Sequence, residues 1–238
     1  MGATGATGIL IGGDVERFPL AGTNLTLDKA EYRQGKEFEQ NDLIKSLSDG
    51  GTKEYGVLLD ADGVPYMAYK GEEHSVHIGD EVLNSGGTFT HYHPDKDFGG
   101  TLSIQDLKVF AKSNLKELRA FSKQGQMYSV KAGPNADREG LLRWAKMSGK
   151  LQQQNLNKSY AAALKAATTP LKSGPNKGKI KIKNPRTGKT VYREPMTDKQ
   201  AQAFARQWSV GSYDRMYKKN LEKYGFTYTA TKAGKKLQ

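Results

Sequence analysis

Cysteine is absent from this chain of 238 residues. That absence excludes a disulfide framework, a thiolate nucleophile and any cysteine-rich zinc site, so a bound metal must rely on histidine and carboxylate. Histidine is scarce as well. The only four, His74, His77, His91 and His93, fall within about twenty residues, which gathers the metal-capable nitrogens around one place. No apolar run approaches the roughly 18 residues of a membrane span, and no signal-peptide pattern opens the chain. The expectation is a soluble, intracellular protein with no membrane partner.

Acidic residues are scarce in one half only. The formal net charge is +12, yet residues 151–238 hold 19 Lys and Arg against 4 Asp and Glu. Residues 1–150 hold 18 against 21 and are nearly neutral. Such asymmetry points to an anionic partner for the C-terminal part: nucleic acid, an acidic protein surface or a membrane headgroup layer.

What the chain does have is concentrated at residues 86–94, Gly-Gly-Thr-Phe-Thr-His-Tyr-His-Pro. Thr88, Phe89, Thr90 and Tyr92 are β-branched or aromatic and predict a strand. Side chains two apart on a strand share a face, so His91 and His93 present two imidazoles side by side. Pro94 ends the strand because it has no N–H to donate. A loop then leads to Ser103-Ile-Gln-Asp106, after which Leu107, Phe110, Ala111 and Leu115 recur at helical spacing. Two imidazoles and a carboxylate suit Zn²⁺ and leave a fourth position for water. By itself His-x-His is a weak signal, and Ser103-x-x-Asp106 describes a helix N-cap with an acidic third position equally well.

Taken together, His-x-His-Pro, a short loop and Ser-x-x-Asp resemble the signature of the JAB/MPN (JAMM) zinc metalloprotease family, in its bacterial and phage branch. The resemblance covers about residues 52 to 130. It implies an α/β (α+β) fold: a mixed sheet flanked by helices with a cytidine-deaminase-like core. It also implies zinc held by His91, His93 and Asp106, with Ser103 helping to stabilise the oxyanion and a Glu on an upstream strand as general base. Glu54-Tyr-Gly-Val-Leu-Leu-Asp60, followed by Ala-Asp-Gly, is similar to that strand and makes Glu54 the candidate base, with Glu72 and Glu73 in reserve. The implied activity is hydrolysis of a peptide or isopeptide bond in a peptide or protein substrate. Members of this branch also resemble parts of phage head-associated proteins. The alternative is therefore a structural or nucleic-acid-binding protein that keeps the fold without turnover, in a bacterial cytoplasm or carried with a virion. Zinc hydrolysis of a nucleic acid or nucleotide ranks third.

Around this centre the chain divides at Gly133-Pro134, into residues 1–133 and a basic helical and hairpin extension, 134–238. Residues 1–13 read as a mobile lead or a single strand over Ile9–Ile11; no Gly-Lys-Ser/Thr follows their glycines, so a phosphate loop is disfavoured. One or two short helices are expected over 27–47. A hairpin turns at Asp60–Gly63, and strands are expected near 117–122 and 127–130. His74 and His77 are expected to be exposed or substrate-facing rather than ligands. Residues 137–167 predict a helix that Gly149 and the glutamines at 152–154 divide. Residues 179–183 and 189–193 alternate as a basic hairpin, and Lys183 stands where a Walker motif ending in Gly188-Lys189-Thr190 would need glycine. Thr197-Asp198 opens another helix, interrupted at Gly211, and 226–230 adds an edge strand.

Overall fold

The structure, a computed structural model, describes residues 8–20, 52–94, 101–122, 126–183, 188–232 and 235–236. In chain order these form β1 (Gly8–Ile11), β2 (Arg17–Pro19), β3 (Tyr55–Leu59), β4 (Pro65–Lys70), β5 (Ser75–Ile78), α1 (Asp80–Leu83), β6 (Thr88–His93) and α2 (Ile104–Lys112). The chain continues through β7 (Glu117–Ser122), β8 (Gln126–Ala132), α3 (Arg138–Thr168), β9 (Ile180–Lys183) and β10 (Thr190–Arg193). It closes with α4 (Asp198–Lys223), β11 (Phe226–Lys232) and β12 (Lys235–Lys236). The helices expected over 27–47 lie outside the described residues.

Eight strands make one mixed sheet in the order β12-β11-β8-β7-β6-β3-β4-β2. Within it β6 and β7 are the parallel pair, and a parallel pair needs a crossover, which here carries α2. The expected mixed sheet flanked by helices is therefore present. The internal strand β3, between β6 and β4, is buried along its whole length, which suits a strand covered on both faces. On one face Leu58, Phe89, Leu118, Tyr128 and Val130 join Leu107 and Phe110 of α2 in a single buried cluster. On the other, Tyr55, Val57, Leu59, Tyr92, Phe121 and Met127 form a second. Tyr55 and Tyr92 lie opposite each other in register and stack with centroids 5.1 Å apart. Period-two alternation then puts Phe89, His91 and His93 on the face that α2 covers.

Residues on either side of Gly133-Pro134 share one core. Leu141, Tyr213, Tyr217, Leu221 and Phe226 belong to the cluster that contains Leu58 and Phe110. β11 pairs antiparallel with β8 along Phe226–Lys232 and is itself flanked by β12, so it is an internal strand of the sheet rather than its edge. Arg138, at the start of α3, donates to the carbonyls of Phe110 at 2.7 Å and Leu115 at 2.6 Å, and its guanidinium lies 4.9 Å from the Phe110 ring centroid. It thereby satisfies carbonyls at and just past the last turn of α2 and docks the extension onto the core.

Two expected interruptions are not found. α3 runs unbroken through Gly149, and α4 through Gly211. A glycine inside a helix costs about 1 kcal/mol relative to alanine, and packing between α3 and α4 outweighs it. Gly211 is buried. Among the described residues no helix is long and apolar enough to cross a membrane.

Within the central sheet, Glu117 is buried against Arg119 at 2.8 Å and Lys131 at 3.4 Å, and it accepts a hydrogen bond from the Ser129 hydroxyl. Burial alone would raise its pKa, but Arg119, Ser129 and Lys131 together hold it below the usual glutamate value. A lowered folded-state pKa contributes stability that is present above the unfolded value of about 4.3 and is lost as pH falls through the folded one. Glu117→Gln should therefore lower stability at pH 7 by about 1–3 kcal/mol. Between about pH 5 and pH 3 the variant should also lose less stability than the wild type. Urea unfolding midpoints across that range measure both effects, and parallel pH curves would contradict the assignment.

Candidate metal centre

His91 and His93 reach the site because β6 alternates, and Asp106 because it is the third residue of α2. His91 Nε2 lies 3.3 Å from Asp106 Oδ2, and His93 Nε2 lies 3.8 Å from the same oxygen. One donor atom from each of the three residues falls within 4.8 Å of the others, the one such group among the described residues. Donors at about 2 Å from a shared tetrahedral ion would sit roughly 3.3 Å apart, so these separations are of the right size. His91 and Asp106 side chains are fully buried, whereas His93 keeps 13 % exposure and marks the side open to solvent.

His91 supplies the fit test for a metal. Both its ring nitrogens are buried, and neither has a hydrogen-bond partner among the described residues. Nε2 approaches Asp106 without hydrogen-bonding geometry, although the distance alone would allow it. The ring is held instead by packing, stacked on Phe89 at 6.2 Å and edge-on to His93 at 4.6 Å. A fully buried imidazole whose ring nitrogens make no hydrogen bond is costly unless something accepts a lone pair. The N₂O donor set suits zinc.

Asp106 is fixed from three directions. Oδ1 accepts from the Ile9 amide at 2.8 Å and Oδ2 from the Ser103 amide at 2.6 Å, while the imidazoles face Oδ2. Its burial opposes ionisation, but His91 first, then His93 and the Ile9 amide, outweigh that and hold its carboxyl well below the usual aspartate range. The Ser103 hydroxyl accepts from the Asp106 amide at 3.1 Å and completes a capping box. Thus the N-cap reading of Ser-x-x-Asp holds, and the same two residues stand at the metal group.

Glu54 comes to the same place. Gly56 pairs with His91 in antiparallel register, so position 54 faces the His93 end of β6 on the same side of the sheet. Its side chain is buried, and Oε2 has no hydrogen-bond partner among the described residues. Burial, followed by the nearby Asp106 charge, pushes its pKa well above the ordinary glutamate value.

The remaining candidates stand elsewhere. Glu72 is exposed and pairs with Lys53 at 3.7 Å, and Glu73 is exposed beside it. His74 is exposed, while His77 Nδ1 donates to the Gly12 carbonyl at 2.7 Å and secures the end of β1. Neither histidine belongs to the metal group.

Two contributors were not legible in the sequence. β1 is the single strand expected over Ile9–Ile11, but it pairs in parallel with β5 and presses on the site. Gly8, at φ +105°, has no room for a side chain: an added Cβ would lie 2.3 Å from Asp106 Oδ1 and 2.5 Å from Ser103 Oγ. The second contributor is the extension. Tyr228 donates to Asp214 at 2.8 Å, so its hydroxyl oxygen accepts from Thr101, 3.2 Å away, and anchors the chain two residues before Ser103. A glycine before a short apolar run was the only sequence sign of the first; for the second there was none.

Comparison of the chain with protein-family models, curated proteins and solved structures finds no match.

Gly8→Ala should displace the Asp106 carboxylate or the Ser103 hydroxyl. Affinity for a divalent metal ion, measured by competition with a chromogenic chelator, should drop about 10- to 100-fold, as for other changes to groups that orient a ligand. Circular dichroism should show the fold retained, and wild-type affinity would contradict the close approach.

Proposed function

We propose that the chain is a zinc-dependent hydrolase of peptide or isopeptide bonds, with the JAB/MPN-like core that its motifs suggest. One observation carries the reading. A buried two-histidine, one-aspartate group shares a sheet face with a buried glutamate whose carboxyl is kept protonated more readily than usual. When bound by His91, His93 and Asp106, zinc supplies a Lewis acid and brings the pKa of water to about 7.

The protein's own residues do the rest. Asp106 stays ionised and stationary because the Ile9 and Ser103 amides hold both its oxygens. Glu54, with its elevated pKa, takes a proton from the attacking water at its carboxylate and delivers it to the leaving amine. A carboxyl tuned upward toward neutral pH is suited to both halves of that exchange. The Ser103 hydroxyl donates to the carbonyl oxygen as negative charge develops there. His93, at the exposed side, borders the path by which substrate arrives. Burial of His91, Asp106 and Glu54 removes bulk water and strengthens each of these electrostatic contacts.

Purified protein should hold about one zinc per chain. His91→Ala and Asp106→Ala should each abolish stoichiometric zinc in elemental analysis, and full retention in both would sink the ligand assignment.

Glu54→Gln preserves shape but cannot accept the proton. It should keep its zinc while cleavage of an internally quenched peptide library falls about 10²- to 10⁴-fold. Loss of zinc in this variant would make Glu54 a ligand. Unchanged cleavage would move the base elsewhere, and zinc binding with no cleavage by the wild type would favour the reading without turnover.

A further inference from the structure

From residue 140 to residue 193 the chain contains 13 Lys and Arg and no Asp or Glu. The structure sorts these charges. β9 and β10 form a separate two-stranded antiparallel ribbon, with Thr190 opposite Lys183, Val191 opposite Ile182, Tyr192 opposite Lys181 and Arg193 opposite Ile180. Directly opposed residues share a face, so Ile180 and Ile182 lie on one side with the exposed Val191 and Arg193, while Lys181, Lys183, Thr190 and Tyr192 lie on the other. Ile180 and Ile182 are buried, and β9 packs against α3, whose Ala163 and Ala167 are buried too. That packing orients the ribbon and turns the lysine face to solvent. Tyr192 stands among the lysines, 44 % exposed. The turn that closes beneath the ribbon, tied by the Leu171 amide to the Lys179 carbonyl, adds the exposed Lys172, Lys177 and Lys179.

We infer that this ribbon binds duplex nucleic acid, with Lys181 and Lys183 contacting backbone phosphates and the ribbon lying in the major groove. A two-stranded ribbon has the width that groove admits, and lysines supply its phosphate contacts without reading sequence. The stretch carries no acidic residue of its own, and phosphate backbones present a dense, regular array of complementary charge. The exposed tyrosine adds an aromatic face with a hydroxyl donor for sugar or phosphate oxygens.

The ribbon stands away from the metal centre. Position 149 of α3 lies beside Ile104 at the start of α2, where an added Cβ would be 3.6 Å from it. Ala163 is about 20 Å further along the helix axis. Nucleic-acid binding at the ribbon is therefore independent of the hydrolase reading, and each can fail without the other.

The 238-residue chain is titrated into a fluorescein-labelled duplex of mixed sequence, and anisotropy is read at several salt concentrations. Affinity should fall steeply with salt and vary little with sequence. The double variant Lys181→Gln/Lys183→Gln should bind about tenfold more weakly at low salt, and its log–log salt slope should shrink by about 1.8, or 0.9 for each phosphate no longer neutralised. Its circular dichroism and zinc content should match the wild type. Lys112→Gln/Lys116→Gln, two exposed lysines on the core, should leave both affinity and slope unchanged. Wild-type binding by the ribbon variant would overturn the proposal. Competition by polyglutamate as strong as by the duplex would overturn it in favour of an acidic protein partner. Tighter binding of the corresponding single strand would overturn the groove placement.

Discussion

The carboxylate of Asp106 is the constraint on which the described structure depends. An ionised carboxylate without access to solvent costs many kcal/mol unless charge and hydrogen bonds compensate it. Here the compensation comes from the Ile9 amide on β1, the Ser103 amide at the start of α2, and His91 and His93 on β6. Those groups span residues 9 to 106, so the N-terminal strand, the sheet centre and the crossover helix have to be in place together. Gly8 makes the requirement strict, since its backbone lies too close to the carboxylate to carry a side chain. The candidate metal group and the fold are accordingly coupled through one side chain.

Two carboxylates share the same buried face and titrate in opposite directions. Asp106 meets imidazoles and amides that hold its pKa below the usual aspartate range, whereas burial and the Asp106 charge push that of Glu54 up. Their environments push the two carboxyls apart, one toward a fixed charge and the other toward holding its proton. The division follows from placement alone: one carboxyl begins a helix, and the other enters a strand buried on both sides.

The C-terminal extension has two kinds of surface. Along Arg138, Leu141, Tyr217 and Phe226 it is part of the core, and through Tyr228 it anchors Thr101 beside the site. Beyond α3 it presents a lysine face on a ribbon whose inner isoleucines are buried. Positive charge is thus concentrated on the ribbon, away from a near-neutral core, where solvent screens its self-repulsion.

Much of this was legible one element at a time. Alternation over Thr88–His93 placed two imidazoles on one face, the capping pattern at Ser103 and Asp106 opened α2, and the period-two lysines at 179–183 marked the hairpin. These are local signals, set by backbone periodicity and by hydrogen bonds within a few residues. The helix breaks expected at Gly149 and Gly211 did not occur, because a propensity of about 1 kcal/mol yields to the packing of two long helices. Gly8 beside Asp106, the Ile9 amide on its oxygen, the Arg138 caps and the Thr101–Tyr228–Asp214 chain join positions 14 to 127 residues apart. Sequence by itself determined which side chains could bind a metal and which strand and helix would carry them. Tertiary structure alone decided what surrounds them, because the burial and field that set each carboxyl's proton come from chain segments that meet only in the folded protein.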